Sequence, residues 1–188
     1  MKLRDVMFSG KSERGNRFFT KMMAFLDSPK RLKYDDPVKL VAASGIREGQ
    51  RVLEIGCGSG FFTEAASRAV GESGTLVAAD LHPVAVETTR KKVIDSGLTN
   101  VTVVQDDAMN SSLPDGEFDL ILLYGVVPSP VIDPDKLADQ MHRILKPGGT
   151  CAIWTMVPFW KPLKYCRGGR FTLDGKKDGV FLLRREDR

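Results

Sequence analysis

The sequence lacks any apolar run long enough to cross a membrane, and it lacks a recognisable cysteine pattern. Its three cysteines, Cys57, Cys151 and Cys166, are far apart and form neither a C-x-x-C pair nor a zinc-type spacing. Isolated cysteines are typical of a reducing compartment. Because the zinc-type spacing is absent, we expect no metal site. The first ten residues are polar and carry charges, so we expect no secretory signal, a cytoplasmic location and no membrane partner.

A strong excess of either charge is also absent. The 28 Lys and Arg residues against 24 Asp and Glu give a net charge of +4 and a pI of about 9.0. The cations are interleaved with acids along the chain, which favours a mildly basic surface over a nucleic-acid-binding face. The 188 residues, without repeats or linkers, predict a single domain over 1–188, with residues 1–36 as an N-terminal helical cap.

From residue 51 onward, short β-branched runs alternate with amphipathic segments, a pattern that predicts strands alternating with helices. The predicted strands are Arg51–Ile55, Thr75–Ala79, Val101–Gln105, Phe118–Leu123 and Thr150–Thr155, and the predicted helices are Phe61–Val70, Pro83–Ser96 and Asp133–Leu145. Such alternation indicates an α/β fold, a doubly wound and mostly parallel sheet. Two further strands, near 170–173 and 180–184, predict an antiparallel C-terminal hairpin that turns at Asp174-Gly175.

The most informative segment is a glycine-rich turn, Gly56-Cys57-Gly58-Ser59-Gly60, between the first strand and the first helix. Turns at this position bind nucleotides in doubly wound folds. The spacing is Gly-x-Gly-x-Gly, and the Gly-x-Gly-x-x-Gly of pyrophosphate sites is absent. Glu54, inside the strand, would repel a pyrophosphate but tolerate a cation. S-adenosylmethionine (SAM), with sulfonium and ammonium groups, is a ligand of that kind, and a purely structural turn is the alternative.

Acidic residues end the second and third predicted strands. Asp80 can accept hydrogen bonds from both hydroxyls of a ribose, or it can cap the helix that starts at Pro83. Asp106 and Asp107 follow the third strand, where a carboxylate can accept from an adenine amine and a backbone N–H can donate to the ring. The sequence leaves the choice between these two acids open, and we select Asp107.

These motifs together resemble those of the class I SAM-dependent methyltransferases, in particular the methyltransferase-11/25 and UbiE-like group. The resemblance covers about residues 37–157 and rests on four ordered segments: Val52–Thr63, Asp80, Asp107-Ala108 followed by Leu113–Ile121, and Leu145–Gly149. It implies the Rossmann-like SAM methyltransferase fold, SAM as cofactor and S-adenosylhomocysteine (SAH) as product, without a metal.

The resemblance also implies roles for individual residues. Glu54, Gly56 and Gly58 would surround the methionine part of SAM, Asp80 would hold the ribose, and Leu81 would pack on the adenine. Asp107 and Ala108 would contact the adenine edge, and Tyr124 and Gly125 would lie beneath the reactive methyl group. The full predicted cofactor-binding set is Glu54, Gly56, Cys57, Gly58, Gly60, Asp80, Leu81, Asp107, Ala108, Tyr124 and Gly125.

We therefore expect methyl transfer from SAM to a small-molecule acceptor by in-line displacement. Tyr124, His82 and His142 are weak candidates for a general base. The Asn-Pro-Pro-Tyr of nucleic-acid amino methyltransferases is absent after the fourth strand, which holds Tyr124 to Pro128 instead. Methylation of RNA or protein, a SAM-binding protein without turnover, and a homo-oligomer stay open as alternatives. The glycine spacing and Glu54 argue against an NAD-dependent oxidoreductase.

Overall fold

The computed structural model describes residues 12–26 and 31–187. In this part of the chain the N-terminal region contains helix α1, Glu13–Leu26, and a short 3-10 helix, Arg31–Lys33. The predicted cap over residues 1–36 therefore lies partly outside the described residues. No described helix has the length and apolar character that spanning a membrane requires.

The described residues form one seven-stranded sheet. Its strands are β1 Arg51–Ile55, β2 Thr75–Asp80, β3 Val101–Gln105, β4 Phe118–Tyr124, β5 Leu145–Trp154, β6 Phe171–Lys177 and β7 Val180–Arg185. Their order is β3-β2-β1-β4-β5-β7-β6. Strands β1 to β5 are parallel to one another, and β7 is antiparallel to both β5 and β6. The predicted fold class is confirmed.

Helices lie in three of the four connections between the parallel strands β1 to β5, and a further helix precedes β1. They are α2 Pro37–Ala43, which precedes β1, then α3 Thr63–Val70, α4 Pro83–Asp95 and α5 Pro134–Ile144. Helices α2, α4 and α5 each begin with a proline in the first turn, which needs no N–H there. Asp36, His82 and Asp133 cap them by accepting hydrogen bonds from first-turn N–H groups.

Strand β4 lies between two layers of the core. Ile121 and Leu123 face one apolar cluster, which includes Met141 of α5. Leu120 and Leu122 face the other cluster, which includes residues of α2 and α3. Because alternate residues of a strand point to opposite faces, this near-continuous apolar run is what a strand buried on both sides requires.

The C-terminal hairpin turns at a different place from the one predicted. Lys177 pairs with Val180, so the two-residue turn is Asp178-Gly179, with φ of 46° and 89°. Both values are positive, as the favoured two-residue hairpin turn requires. The predicted turn at Asp174-Gly175 is wrong, because the pairing shifts register between Leu173 and Gly175 and makes a bulge there.

Strand β5 begins earlier than predicted. Leu145 pairs with Phe118, and the pairing resumes between Thr150 and Leu120. Residues 146–149, which precede the predicted strand, are thus an irregular segment within β5. The Lys146 Nζ atom lies 2.6 Å from the Asp119 Oδ1 atom of β4, so this segment is fastened to the neighbouring strand.

Candidate functional site

A cleft of about 440 Å³ opens at the carboxyl ends of β1, β2 and β4. This is where doubly wound sheets bind ligands. Of the predicted cofactor-binding residues, eight line the cleft: Gly56, Cys57, Gly58, Asp80, Leu81, Ala108, Tyr124 and Gly125. Glu54, Gly60 and Asp107 are not part of its described lining.

The glycine-rich loop is fastened to the end of β2. The backbone N–H groups of Gly56 and Cys57 donate to the Ala79 carbonyl at 2.8 and 3.1 Å. Gly56 has a φ of 74°, and a Cβ atom there would lie 2.5 Å from the Val126 Cγ2 atom. Only glycine fits this position, since it permits both the backbone conformation and the close approach of Val126.

Asp80 holds the loop from the side of β2. Its Oδ2 atom accepts from the Gly58 N–H at 3.0 Å, and its Oδ1 atom accepts from the His82 N–H at 2.8 Å. Burial raises the pKa of Asp80, and these N–H bonds oppose the rise. Each carboxylate oxygen can accept more than one hydrogen bond, so both remain able to accept from a ligand hydroxyl. The cap of α4 belongs to His82, whose Nδ1 atom accepts from the Val84 N–H at 3.2 Å.

Glu54 is buried behind the loop, with 2% of its surface exposed. Its Oε2 atom accepts from the Thr63 Oγ1–H at 2.6 Å. Burial raises the pKa of Glu54 to about 7, the Thr63 hydrogen bond opposes the rise, and the charge of Asp80 adds to it. The carboxyl group therefore joins β1 to the first residue of α3, and it is poorly solvated when ionised.

The two acids after β3 have different surroundings. Asp106 lines the cleft, and its Oδ1 atom accepts from the Ser112 N–H at 2.9 Å. The Asp107 Oδ1 atom accepts from the Met109 N–H at 2.9 Å and closes a local turn. Asp106 therefore lines the cleft, whereas Asp107, the acid that we selected from the sequence, is not part of its described lining.

All three candidates for a base have structural contacts. The Tyr124 hydroxyl donates to the Leu40 carbonyl of α2 at 2.8 Å, and burial raises the pKa of Tyr124 above its usual value. The His82 ring is buried, stacks on Phe19 with ring centroids 3.7 Å apart, and has a pKa lowered by burial. His142 lies elsewhere, with its Nε2 atom 2.8 Å from the Glu186 carbonyl.

Sequence reasoning missed Arg31, the cation in the described lining of the cleft. Its guanidinium carbon lies 3.9 Å from the centroid of the Phe61 ring, and its Nε atom lies 3.1 Å from the Asp35 Oδ2 atom. No local pattern marks Arg31, because its place over the Phe61 ring depends on tertiary packing. Its charge gives the cleft a group that can pair with a carboxylate.

Apolar side chains form the remaining walls of the cleft. Phe19, Met22 and Met23 come from α1, and Val126, Pro128, Pro130, Val131, Ile132 and Met156 come from the connections after β4 and β5. The sequence predicts a helical cap in the α1 region, and Phe19, Met22 and Met23 of α1 line the cleft. The side chains of Phe18, Phe25 and Leu26 lie outside the described residues. Among the residues that the structure describes, no group of His, Cys, Asp or Glu side chains could hold a metal.

Comparison with known proteins gives matches to methyltransferases. The sequence profile of the methyltransferase domain family matches residues 52–149, just over half of the chain. The ubiquinone/menaquinone biosynthesis C-methyltransferase UbiE of Psychromonas ingrahamii is 39% identical over 126 residues, which are 65% of this chain and 49% of that protein. The UbiE of Vibrio vulnificus is 40% identical over 124 residues, 65% of this chain and 46% of that protein. The chain spans about half the length of these curated relatives.

Solved structures give a consistent result. A SAM-dependent methyltransferase from Aquifex aeolicus superposes with a TM-score of 0.74 and 26% sequence identity. The match covers 88% of this chain and 96% of that one. The similarity therefore extends beyond the segment matched by the family profile.

The buried carboxyl group of Glu54 predicts a pH dependence of stability. Below pH 4.5, its ordinary pKa, folded and unfolded states both hold the proton, so Glu54 has no effect. Between pH 4.5 and its folded pKa of about 7, the unfolded chain releases the proton while the folded chain keeps it, and above about pH 7 both states are ionised. The free energy of unfolding should therefore fall over this interval by up to about 3 kcal/mol.

The variant Glu54→Gln removes the ionisation and keeps an acceptor oxygen for Thr63. Urea unfolding at several pH values, from roughly 5 to 8, should show wild-type stability falling relative to that of the variant. Parallel pH profiles for the two proteins would contradict this role of Glu54.

Proposed function

This chain belongs to the methyltransferase domain family, in the class I group that uses SAM, and on that premise we propose that it transfers a methyl group from SAM to a small apolar acceptor. The observation that supports this most directly is the union, in one cleft, of a glycine-rich loop, the carboxylate of Asp80 and an apolar wall. The matched segment covers only about half of each relative. The proposed activity and substrate are therefore argued from the residues that line the cleft.

The residues present fit SAM. Asp80 and Asp106 offer carboxylate acceptors, Gly56 and Gly58 keep the loop free of side chains, and Arg31 offers a cation for the carboxylate of the methionine part. A Cβ atom on Gly58 would lie 3.2 Å from the Met23 Sδ atom, so a side chain there would fill the cradle. When bound, SAM supplies an electrophilic methyl group together with its own leaving group.

We assign the chain's contribution to binding and orientation. The glycine-rich loop and Asp80 hold SAM, and the apolar walls hold the acceptor and exclude water. Placing two reactants in line can account for several kcal/mol of the barrier. Tyr124 and His82 are held by structural contacts, so neither of them transfers a proton in this reaction.

The acceptor is proposed to be an apolar ring compound. Residues Val126 to Ile132 and Met156 make that end of the cleft apolar. The relatives named above are C-methyltransferases of ubiquinone and menaquinone biosynthesis, which favours carbon methylation of a quinone-like ring.

We also propose that residues 1–36 cap the cleft, because Phe19, Met22 and Met23 of α1 line it. We further propose that the chain is a single cytoplasmic domain, because its cysteines are free.

Methylation of RNA is the second candidate, and the structure gives it little support. This function would need a contiguous basic face, for which the cations between Lys161 and Lys177 are the candidates. Arg170, within it, is neutralised by Asp135 and Asp139 of α5. The Lys176 Nζ atom lies 4.6 Å above the Phe181 ring. The face therefore presents fewer free cations than the sequence suggests.

Binding and turnover assays test the proposed function. We expect calorimetry to give a micromolar Kd for SAH, about −8 kcal/mol, and no binding of NAD. Incubation with methyl-labelled SAM should transfer label to quinol-type aromatic acceptors and not to RNA. Binding of SAH without label transfer to any acceptor would favour a SAM-binding protein without turnover, and binding of NAD in place of SAH would overturn the proposal.

Asp80 should contribute through the ribose hydroxyls. In the variant Asp80→Asn, the free energy of adenosine binding should become less favourable by roughly 1.5–3 kcal/mol, because a charge-assisted hydrogen bond is weakened. The dideoxy analogue of adenosine, which lacks both hydroxyls, should bind wild type and variant alike. Equal losses for both ligands would show that Asp80 acts only by holding Gly58 and His82.

Arg31 should contribute through the carboxylate of the methionine part. Arg31→Ala should weaken SAH binding about tenfold, or roughly 1.5 kcal/mol, and leave binding of methylthioadenosine, which has no carboxylate, unchanged. Lys33→Ala is the matched control, since Lys33 is exposed on the same 3-10 helix. A weakened affinity for methylthioadenosine would assign Arg31 a structural role over Phe61 instead.

A further inference from the structure

Four large apolar side chains are exposed in the connection between β5 and β6. The exposed fractions are 58% for Met156, 46% for Val157, 101% for Phe159 and 59% for Leu163. Phe159 also has a φ of 61°, a conformation that bulky residues rarely adopt and that costs conformational energy. Folding of this chain does not explain an apolar ring held in solvent on such a backbone. Clustered apolar surface of this kind marks an interaction site.

Other side chains of the same connection attach it to the core. Tyr165 is buried, and its N–H donates to the Pro162 carbonyl at 2.9 Å. The Trp160 ring lies edge-on to Tyr165 and to Phe181 of β7, with ring centroids 6.3 and 6.1 Å apart. The exposed apolar side chains therefore project from an ordered base.

Cations are interleaved with the exposed apolar residues. Lys161, Lys164 and Arg167 are exposed, and the sequence contains no acidic residue between Asp139 and Asp174. Within the part of the chain that the structure describes, none of these three side chains forms an ion pair. We call residues 156–167 the apolar–cationic surface.

This surface adjoins the cleft. Met156 lines the cleft and is also more than half exposed, so it lies where the cleft opens to solvent. The apolar wall from Val126 to Ile132 borders the same cleft. An apolar molecule that enters past Met156 would meet apolar side chains along its way.

We propose that the apolar–cationic surface docks this protein onto an anionic lipid bilayer. Phe159, Met156 and Leu163 would enter the interface, and the long side chains of Lys161 and Lys164 would reach the phosphate headgroups. Three of the four exposed apolar side chains, Met156, Val157 and Leu163, are aliphatic and suit an acyl interior better than a nucleic acid, which would need a row of aromatic rings. The expectation of no membrane partner rested on the absence of a spanning segment and a signal, and surface docking needs neither. Where the proposed function holds, an acceptor dissolved in the bilayer reaches the cleft directly.

Co-sedimentation of the full chain with lipid vesicles tests the docking surface. The chain should bind vesicles of phosphatidylcholine mixed with phosphatidylglycerol more tightly than vesicles of phosphatidylcholine alone, and high salt should release it. Lys161→Ala and Lys164→Ala should each weaken binding about fivefold, and Phe159→Ser should weaken it about tenfold.

Control variants on α4 are matched in residue type. Ile94 is 70% exposed and Lys91 is exposed, and both lie on the helix that packs at the β3 side of the sheet. Ile94→Ser and Lys91→Ala should bind vesicles like wild type. All variants should retain wild-type SAH affinity, which shows that they are folded and separates docking from cofactor binding.

Three results would overturn the docking proposal. They are no binding to anionic vesicles, equal losses in the α4 controls, and a lipid-free dimer that Phe159→Ser converts to a monomer, which would make a second copy the occupant. Binding of an RNA oligonucleotide that Phe159→Ser abolishes, without vesicle binding, would assign the surface to nucleic acid. Vesicle binding without methyl transfer would count against the proposed function and would support docking.

Discussion

The attachment of the glycine-rich loop to the end of β2 is the constraint on which the cleft depends. The Ala79 carbonyl accepts from two loop N–H groups, and the Asp80 carboxylate accepts a third from Gly58. On the other side, the Thr89 hydroxyl of α4 donates to the Gly58 carbonyl at 2.9 Å. A glycine-rich segment has high conformational entropy when unfolded, so it needs such contacts to hold one shape. The same Asp80 side chain also positions His82, and through it the start of α4.

The alignment of β1 and β4 is maintained from the opposite edge of the sheet. The Asp119 Oδ2 atom of β4 accepts from the Arg51 N–H of β1 at 2.8 Å, and its Oδ1 atom pairs with Lys146 of β5. Burial alone would raise the pKa of Asp119, but the hydrogen bonds from Lys146 and the Arg51 N–H outweigh it and hold that pKa below its usual value. One carboxylate thus fixes three neighbouring strands near their amino ends. Their carboxyl ends consequently meet at the level of the cleft.

Much of this architecture could be predicted from the sequence, because it follows from local patterns. The apolar strands and the glycine turn predicted the sheet and the loop, and the family match confirms the resemblance read from four motifs. Features that depend on tertiary position were missed or wrong. Two Asp-Gly pairs carry the same turn signal, and the strand register selects Asp178-Gly179. Arg31 and the exposed ring of Phe159 have no local signature, because the path of the rest of the chain determines where each of them lies.

The methyl group of Val126 occupies the space that a side chain at position 56 would need. The wall proposed to hold the acceptor and the loop proposed to hold the cofactor are therefore in direct steric contact. A larger residue at position 126 would push on the loop, whereas Pro130, Val131 and Ile132 border the same cleft further along the chain. During evolutionary divergence, acceptor preference can drift at these later positions, while position 126 must change in step with the glycine it touches.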